Sequence, residues 1–193
     1  MMSWSNRNPV HGALRCWLQA GGSLSARLAA SGTVFSVQVL CQGRQPLTVD
    51  ESSALGLAAN CPGYAREVVL RVDGVPVVYA RSVTAHVHSL GAWRAVRGLG
   101  TRPLADVLFR RSGIARQAMA YCKLAAGTPL RRHTAKAWQQ AGNGGLSQAA
   151  PAARRSVFVR RGAPLLVMEV FAADVAHWRW PGDVPAVTSK RRR

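Results

Sequence analysis

Eight acidic residues stand against 26 basic ones in this 193-residue chain, and one of the eight, Glu169, lies inside residues 163–173, a stretch otherwise wholly apolar. A carboxylate buried there without a partner would be costly, or would take up a proton. Two arginines bear on the same question. The dipeptide Asp73-Gly74 separates two β-rich runs, residues 64–72 and 75–83, and this pair of residue types favours a two-residue type I′ turn. If that turn sets the register, Val72 lies opposite Val75, Leu70 opposite Val77, Val68 opposite Tyr79, and Arg66 opposite Arg81. These side chains then share one inward face, with two guanidinium groups side by side at its far end. Like charges directly opposite are destabilising, and a guanidinium cannot shed its proton, so something anionic should lie between them. One candidate is Glu169, as an internal salt bridge with Arg66 or Arg81. The other is a small anion bearing a hydroxyl, held in a pocket whose polar ends are Arg66, Arg81 and Glu169. Alternation leaves both open.

Other chemistry is poorly supported. His86 and His88 are two apart, a spacing that on a strand would put both rings on one face, but no third ligand is near and a metal site is not expected. The cysteines at 16, 41, 61 and 122 form no Cys-x-x-Cys pair and read as free thiols. Ser23 and Ser25 belong to no Gly-x-Ser-x-Gly elbow, and no glycine run has phosphate-loop spacing. The net charge of +18 invites an RNA-binding reading. The basic residues are scattered, however, and a positive field draws in a small anionic substrate equally well. The run Lys190 to Arg193 reads as a solvated end. No apolar run reaches the roughly 18 residues that a membrane-spanning helix needs. Residues 1–20 carry Trp4, Asn6, Arg7, Asn8 and His11 where a secretory leader would be apolar, so a cytoplasmic location is expected.

The length suits one domain with a sizeable core. Residues 12–30 read as helical, with a break at Gly21-Gly22 and Ser23 as the cap of a second short helix. Residues 33–41 look extended, residues 44–62 loop-like, and the runs flanking Asp73-Gly74 form a hairpin. Residues 90–98 and 103–109 suggest helices, Pro103 suiting a first turn, and residues 114–124 a further strand. Residues 125–153, rich in Ala, Gly, Gln and Arg, read as a partly helical excursion on the rim. Residues 155–159 and 164–171 make a second hairpin around Arg161-Gly162. Hairpins separated by helices, without βαβ alternation, predict an α+β domain: an antiparallel β-sheet covered by helices.

Five segments occur in an order and spacing that resemble bacterial chorismate lyase: Ser23-Leu24-Ser25-Ala26-Arg27-Leu28; Arg66-Glu67-Val68 leading to Asp73-Gly74; Tyr79-Ala80-Arg81-Ser82; Gly100-Thr101-Arg102-Pro103-Leu104 leading to Leu108-Phe109; and Pro164-Leu165-Leu166-Val167-Met168-Glu169-Val170-Phe171. The resemblance covers residues 14–174 as a single domain, with residues 1–13 an N-terminal extension and 175–193 a basic C-terminal tail. It implies a closed internal ligand cavity and an enzyme that splits chorismate into 4-hydroxybenzoate and pyruvate, the committed step of ubiquinone biosynthesis, without metal or organic cofactor. By the same resemblance Arg66 and the backbone N–H of Leu24 bind the ring carboxylate, and Glu169 and the backbone N–H of Leu104 meet the ring hydroxyl. Arg81 matches a second family arginine, suited to the enolpyruvyl carboxylate. Expected partners are substrate and product alone, with no specific nucleic acid and a monomeric chain. Two alternatives remain at this stage. One is a non-catalytic small-anion sensor, since effector domains of some bacterial repressors look like this fold; the other is a basic RNA-binding protein.

Overall fold

A computed structural model describes residues 4–109, 112–142, 146 and 150–171. The chain begins with two short helices, α1 (Ala13–Gln19) and α2 (Leu24–Ala29), separated at Gly21-Gly22 as expected, and the Ser23 hydroxyl accepts the Ala26 N–H to cap α2. Strand β1 (Phe35–Pro46) runs beyond its expected end and is followed by α3 (Val49–Leu55), where a loop was expected. The signal for α3 is local: the Thr48 hydroxyl accepts the Glu51 N–H while the Glu51 carboxylate accepts the Thr48 N–H, a reciprocal cap.

The hairpin of β2 (Pro62–Val72) and β3 (Val75–Ala85) closes through Asp73 and Gly74 with φ of 50° and 80°, the left-handed pair that a type I′ turn requires. The Asp73 carboxylate accepts the N–H groups of Thr33 and Val34, fastening the turn to the approach of β1. The register departs from the simple count. Val72 faces Val75, but Arg71 faces Pro76 and Leu70 faces Val78, so Val77 is an extra residue on β3. A one-residue bulge sends every later side chain to the other face. Arg66 therefore lies opposite Ser82, and Arg81 lies opposite Glu67. The expected side-by-side arginines are thereby replaced by an arginine and a glutamate on the far face.

Three short helices follow: α4 (His86–Leu90), α5 (Arg94–Arg97) and α6 (Ala105–Leu108). Two short strands, β4 (Ile114–Arg116) and β5 (Ala120–Lys123), stand where one was expected. Helix α7 (Pro129–Gln140) opens with Thr128 as its cap and buries Leu130, Thr134, Ala137 and Trp138. The partly helical excursion expected over residues 125–153 thus contains a packed helix. Strands β6 (Ala152–Arg160) and β7 (Ala163–Phe171) turn on Arg161 and Gly162, both at positive φ, as anticipated.

All strand pairs are antiparallel, in the order β1-β2-β3-β7-β6-β4, with β5 also against β6. Helices cover both faces. On one face α1 and α2 set Trp17, Leu18 and Leu28 in a core with Val37, Leu70 and Val72, while Trp93, Val96, Leu99 and Leu108 pack with Tyr64, Phe158 and Leu165. On the other face lie α3 and α7. The fold is α+β, as the sequence predicts. Among the described residues no helix is long and apolar enough to cross a membrane.

Candidate active site

The first face carries a pocket whose floor is sheet and whose rims are helical. Register places Arg66 opposite Ser82, Ala80 opposite Glu169, and Glu169 opposite Arg154, so alternate residues of β2, β3, β7 and β6 all point to one side. Val68, Leu70, Val167 and Phe158 fill the floor between these polar groups. One rim is Gly22, Leu24 and Ser25 at the start of α2; the other is Pro103, Leu104, Leu108 and Phe109 around α6. The empty space between these walls is about 690 Å³, open solvent at the mouth included.

Arg66 is 2% exposed. Its Nη2 donates to the carbonyl oxygens of Gly100 and Arg102 at 2.8 and 3.0 Å, which orients the guanidinium through the segment leading to Leu104. Its Nε is buried without a hydrogen-bond partner, and no carboxylate of the described residues pairs with it. Burial lowers its pKa, since desolvation disfavours the charged form. A guanidinium stays protonated all the same. The result is a fixed buried cation at the pocket wall with no counter-ion among the described residues.

Glu169 has a different partner from either expected. Its Oε2 accepts Arg154 Nε at 2.5 Å, with the glutamate side chain 17% exposed and the arginine 2%. Arg154 Nη1 also donates to the carbonyls of Trp17, Leu18 and Ala20. One guanidinium thereby ties the cavity carboxylate to the C-terminal end of α1. Arg154 was not singled out in the sequence because it stands in an arginine-rich run, Arg154-Arg155; strand alternation from Glu169 across β6 would have found it. Arg116, on β4, is a third cavity arginine. Its Nε donates to Ser156 Oγ at 3.3 Å and its guanidinium lies 5.2 Å from the Phe158 ring centroid.

Arg81 borders the pocket through its strand, but its guanidinium is committed to the opposite face. It bonds Glu51 at 2.6 Å, Gln45 at 2.7 Å, and Glu67. Glu67 in turn accepts the Tyr79 hydroxyl at 3.0 Å and contacts His133 of α7 at 2.9 Å. Burial would raise the Glu67 pKa, but the hydrogen bond from His133 and the charge of Arg81 outweigh it and hold it at about 2. The structure thus brings Arg66 and Glu169 to one cavity and leaves the Arg81 charge outside it.

The two expected backbone donors are on the rims. Leu24 opens α2, so its N–H is one of the donors without an intrahelical acceptor. Among the described residues the Leu104 N–H has no backbone acceptor either, and Leu104 caps α6. His86 and His88 fall on α4, not on a strand, and no group of three or more His, Cys, Asp or Glu among the described residues could hold a metal ion. The cavity can therefore grip a flat ring between a cationic end and a carboxylate end, with backbone N–H groups above.

This chain is similar over residues 4–178 to the family model described as chorismate lyase. It is 57% identical to a "Probable chorismate pyruvate-lyase" of Albidiferax ferrireducens across 193 residues, all of this chain and 95% of that one. A protein of the same name from Aromatoleum aromaticum is 41% identical over 183 residues, 90% of this chain and 93% of the relative. A solved structure of the PhnF C-terminal domain superposes with a TM-score of 0.51 at 18% identity, over 81% of this chain and 94% of that one, a likeness of fold alone. The chain belongs to the chorismate lyase family.

Proposed function

We propose that the protein is a chorismate pyruvate-lyase that binds chorismate in the cavity between α2, α6 and the sheet and releases 4-hydroxybenzoate and pyruvate. The observation that carries this reading is Arg66, a buried guanidinium without a counter-ion among the described residues, facing a cavity that also presents Glu169. Chorismate supplies what both groups need: a ring carboxylate for Arg66 and a ring hydroxyl for Glu169. The Leu24 and Leu104 N–H groups complete the same two ends.

The reaction breaks the ether C–O bond to the enolpyruvyl group, removes a proton from the neighbouring ring carbon, and leaves an aromatic ring; the released enol becomes pyruvate. Aromatisation supplies much of the driving force. The protein's task is to hold the dianion in one orientation, away from bulk water, so that the breaking C–O and C–H bonds are aligned. Arg66 anchors the ring by a charge-assisted pair of hydrogen bonds. Glu169, held in place by Arg154, accepts a hydrogen bond from the ring hydroxyl and so fixes the carbon that loses its own proton.

The product keeps the carboxylate and the hydroxyl, so most ground-state contacts survive the reaction and release should be slow. The rims at Leu24 and Leu104 are the segments that would open. The same product is the ring precursor that ubiquinone synthesis consumes, and we place the enzyme at that entry point. The test is to incubate pure protein with chorismate and measure pyruvate and 4-hydroxybenzoate together. Equal amounts of both support the reading. Binding of 4-hydroxybenzoate without turnover would leave a sensor, and salt-sensitive RNA binding without turnover would favour the nucleic-acid alternative.

A further inference from the structure

The substrate is a dianion, yet the groups assigned so far account for one carboxylate only. Arg81 is unsuited to the second, because Glu51, Glu67 and Gln45 already occupy its guanidinium on the far face of the sheet. Five arginines border the cavity; Arg81 is met by Glu51 and Glu67 and Arg155 by Asp50 at 2.6 Å, which leaves Arg66, Arg154 and Arg116 against Glu169, three positive and one negative, a balance of +2 among the described residues. Arg154 is spent on Glu169 and on three main-chain carbonyls. Arg116 is not spent. Its hydrogen-bond partners are the neutral Ser156 hydroxyl and the Met119 sulfur at 4.0 Å, and its other face rests on the Phe158 ring.

We infer that Arg116 binds the enolpyruvyl carboxylate of chorismate, opposite Arg66, and so is the residue that distinguishes the dianionic substrate from the monoanionic product. The inference rests on the chorismate reading of the same cavity. Its placement is suitable: Arg66 is on β2 and Arg116 on β4, four strands apart in the sheet order. That is roughly 19 Å between backbones at about 4.8 Å per strand, a span that two long side chains reaching inward reduce to the length of a substituted ring. The Phe158 ring and the Ser156 hydroxyl, itself donating to the Gln117 carbonyl at 2.7 Å, hold the guanidinium at the far end. Desolvation and the neighbouring charge of Arg154 lower the Arg116 pKa by more than Glu169 raises it, so an arriving carboxylate would relieve a net unfavourable field. Once the enolpyruvyl group has left, Arg116 has no hold on the aromatic product, and pyruvate departs from that end.

The test compares two ligands on the same proteins. In Arg116→Gln, kcat/KM for chorismate should fall by about 10- to 100-fold, as expected for loss of a charge-assisted contact, while the Kd of 4-hydroxybenzoate measured by calorimetry stays close to the wild-type value. Arg116→Lys should recover part of the chorismate effect and none is needed for the product. Retained product binding also reports that the variant is folded with its cavity intact. The inference is overturned if Arg116→Gln turns over chorismate like the wild type, or if both ligands weaken in parallel. Wild-type protein in the same assay separates this from the wider reading: failure to form pyruvate there would count against the lyase function itself.

Discussion

Replacing Arg66 by methionine separates the energetics of the site from those of the fold. Among the described residues the wild-type guanidinium is buried with no carboxylate to neutralise it and one N–H unpaired. Removing an unpaired ion from the interior relieves a penalty of several kcal/mol. Against this, the carbonyls of Gly100 and Arg102 lose their donor, at about 1.5–3 kcal/mol each. The two effects largely cancel, and methionine is unbranched and flexible enough to fill the channel. Arg66→Met should therefore change unfolding free energy by no more than about 2 kcal/mol, a shift of a few degrees in Tm. Ligand binding has no such offset. Two charge-assisted hydrogen bonds to the ring carboxylate vanish together, about 3–5 kcal/mol, or roughly 10²- to 10⁴-fold in affinity. The assay is thermal unfolding with and without 4-hydroxybenzoate. At 100 times its Kd the ligand stabilises the wild type by about 2.7 kcal/mol, and the same concentration should stabilise the variant by no more than about 0.4 kcal/mol. A variant that unfolds outright, or that binds 4-hydroxybenzoate as tightly as the wild type, would refute the claim that this cation is held for the ligand and not for the fold.

Glu169→Ala should abolish turnover while the fold survives, because Arg154 keeps its three main-chain acceptors; circular dichroism and pyruvate release check the two halves. Arg81→Met should instead destabilise the protein by about 3–5 kcal/mol, since Glu51 and Glu67 would be left buried without their cation, and denaturant titration measures it. The depressed pKa of Glu67, about 2 against about 4.3 unfolded, means that its contribution to stability is full above about pH 4.3 and is lost as pH falls towards 2. Glu67→Gln should flatten the stability profile in that window. Pre-steady-state mixing with chorismate should show a burst of ring aromatisation followed by slower turnover; single-turnover chemistry no faster than steady state would remove product release as the limiting step.

Much of this architecture could be read from residue order. Asp73-Gly74 and Arg161-Gly162 announce their hairpins through the positive φ their turns demand, and Ser23 announces α2. The isolated acid in residues 163–173, Glu169, lines the cavity. What failed was the inference from register, because the extra residue at Val77 looks like any other valine in a β-rich run. The bulge is decided by pairing across strands, not by local propensity. It reverses the face of Arg81 and brings Glu67 to it. Arg154 escaped notice because its partner is 15 residues away on the adjoining strand, and in a chain with 26 basic residues no single arginine stands out. Helix α3 was legible in principle through Thr48 and Glu51, but the neighbouring glycines, prolines and serines obscured it. Arg116 sits on a three-residue strand too short to show alternation.

The most direct test is a crystal structure with 4-hydroxybenzoate bound. The account predicts the ring lying between Val68 and Leu108, its carboxylate on the Arg66 guanidinium, its hydroxyl within hydrogen-bond distance of Glu169, and the Arg116 end of the cavity free of product. A ligand bound with its carboxylate on Arg81, or lodged outside this cavity with Arg66 untouched, would contradict it.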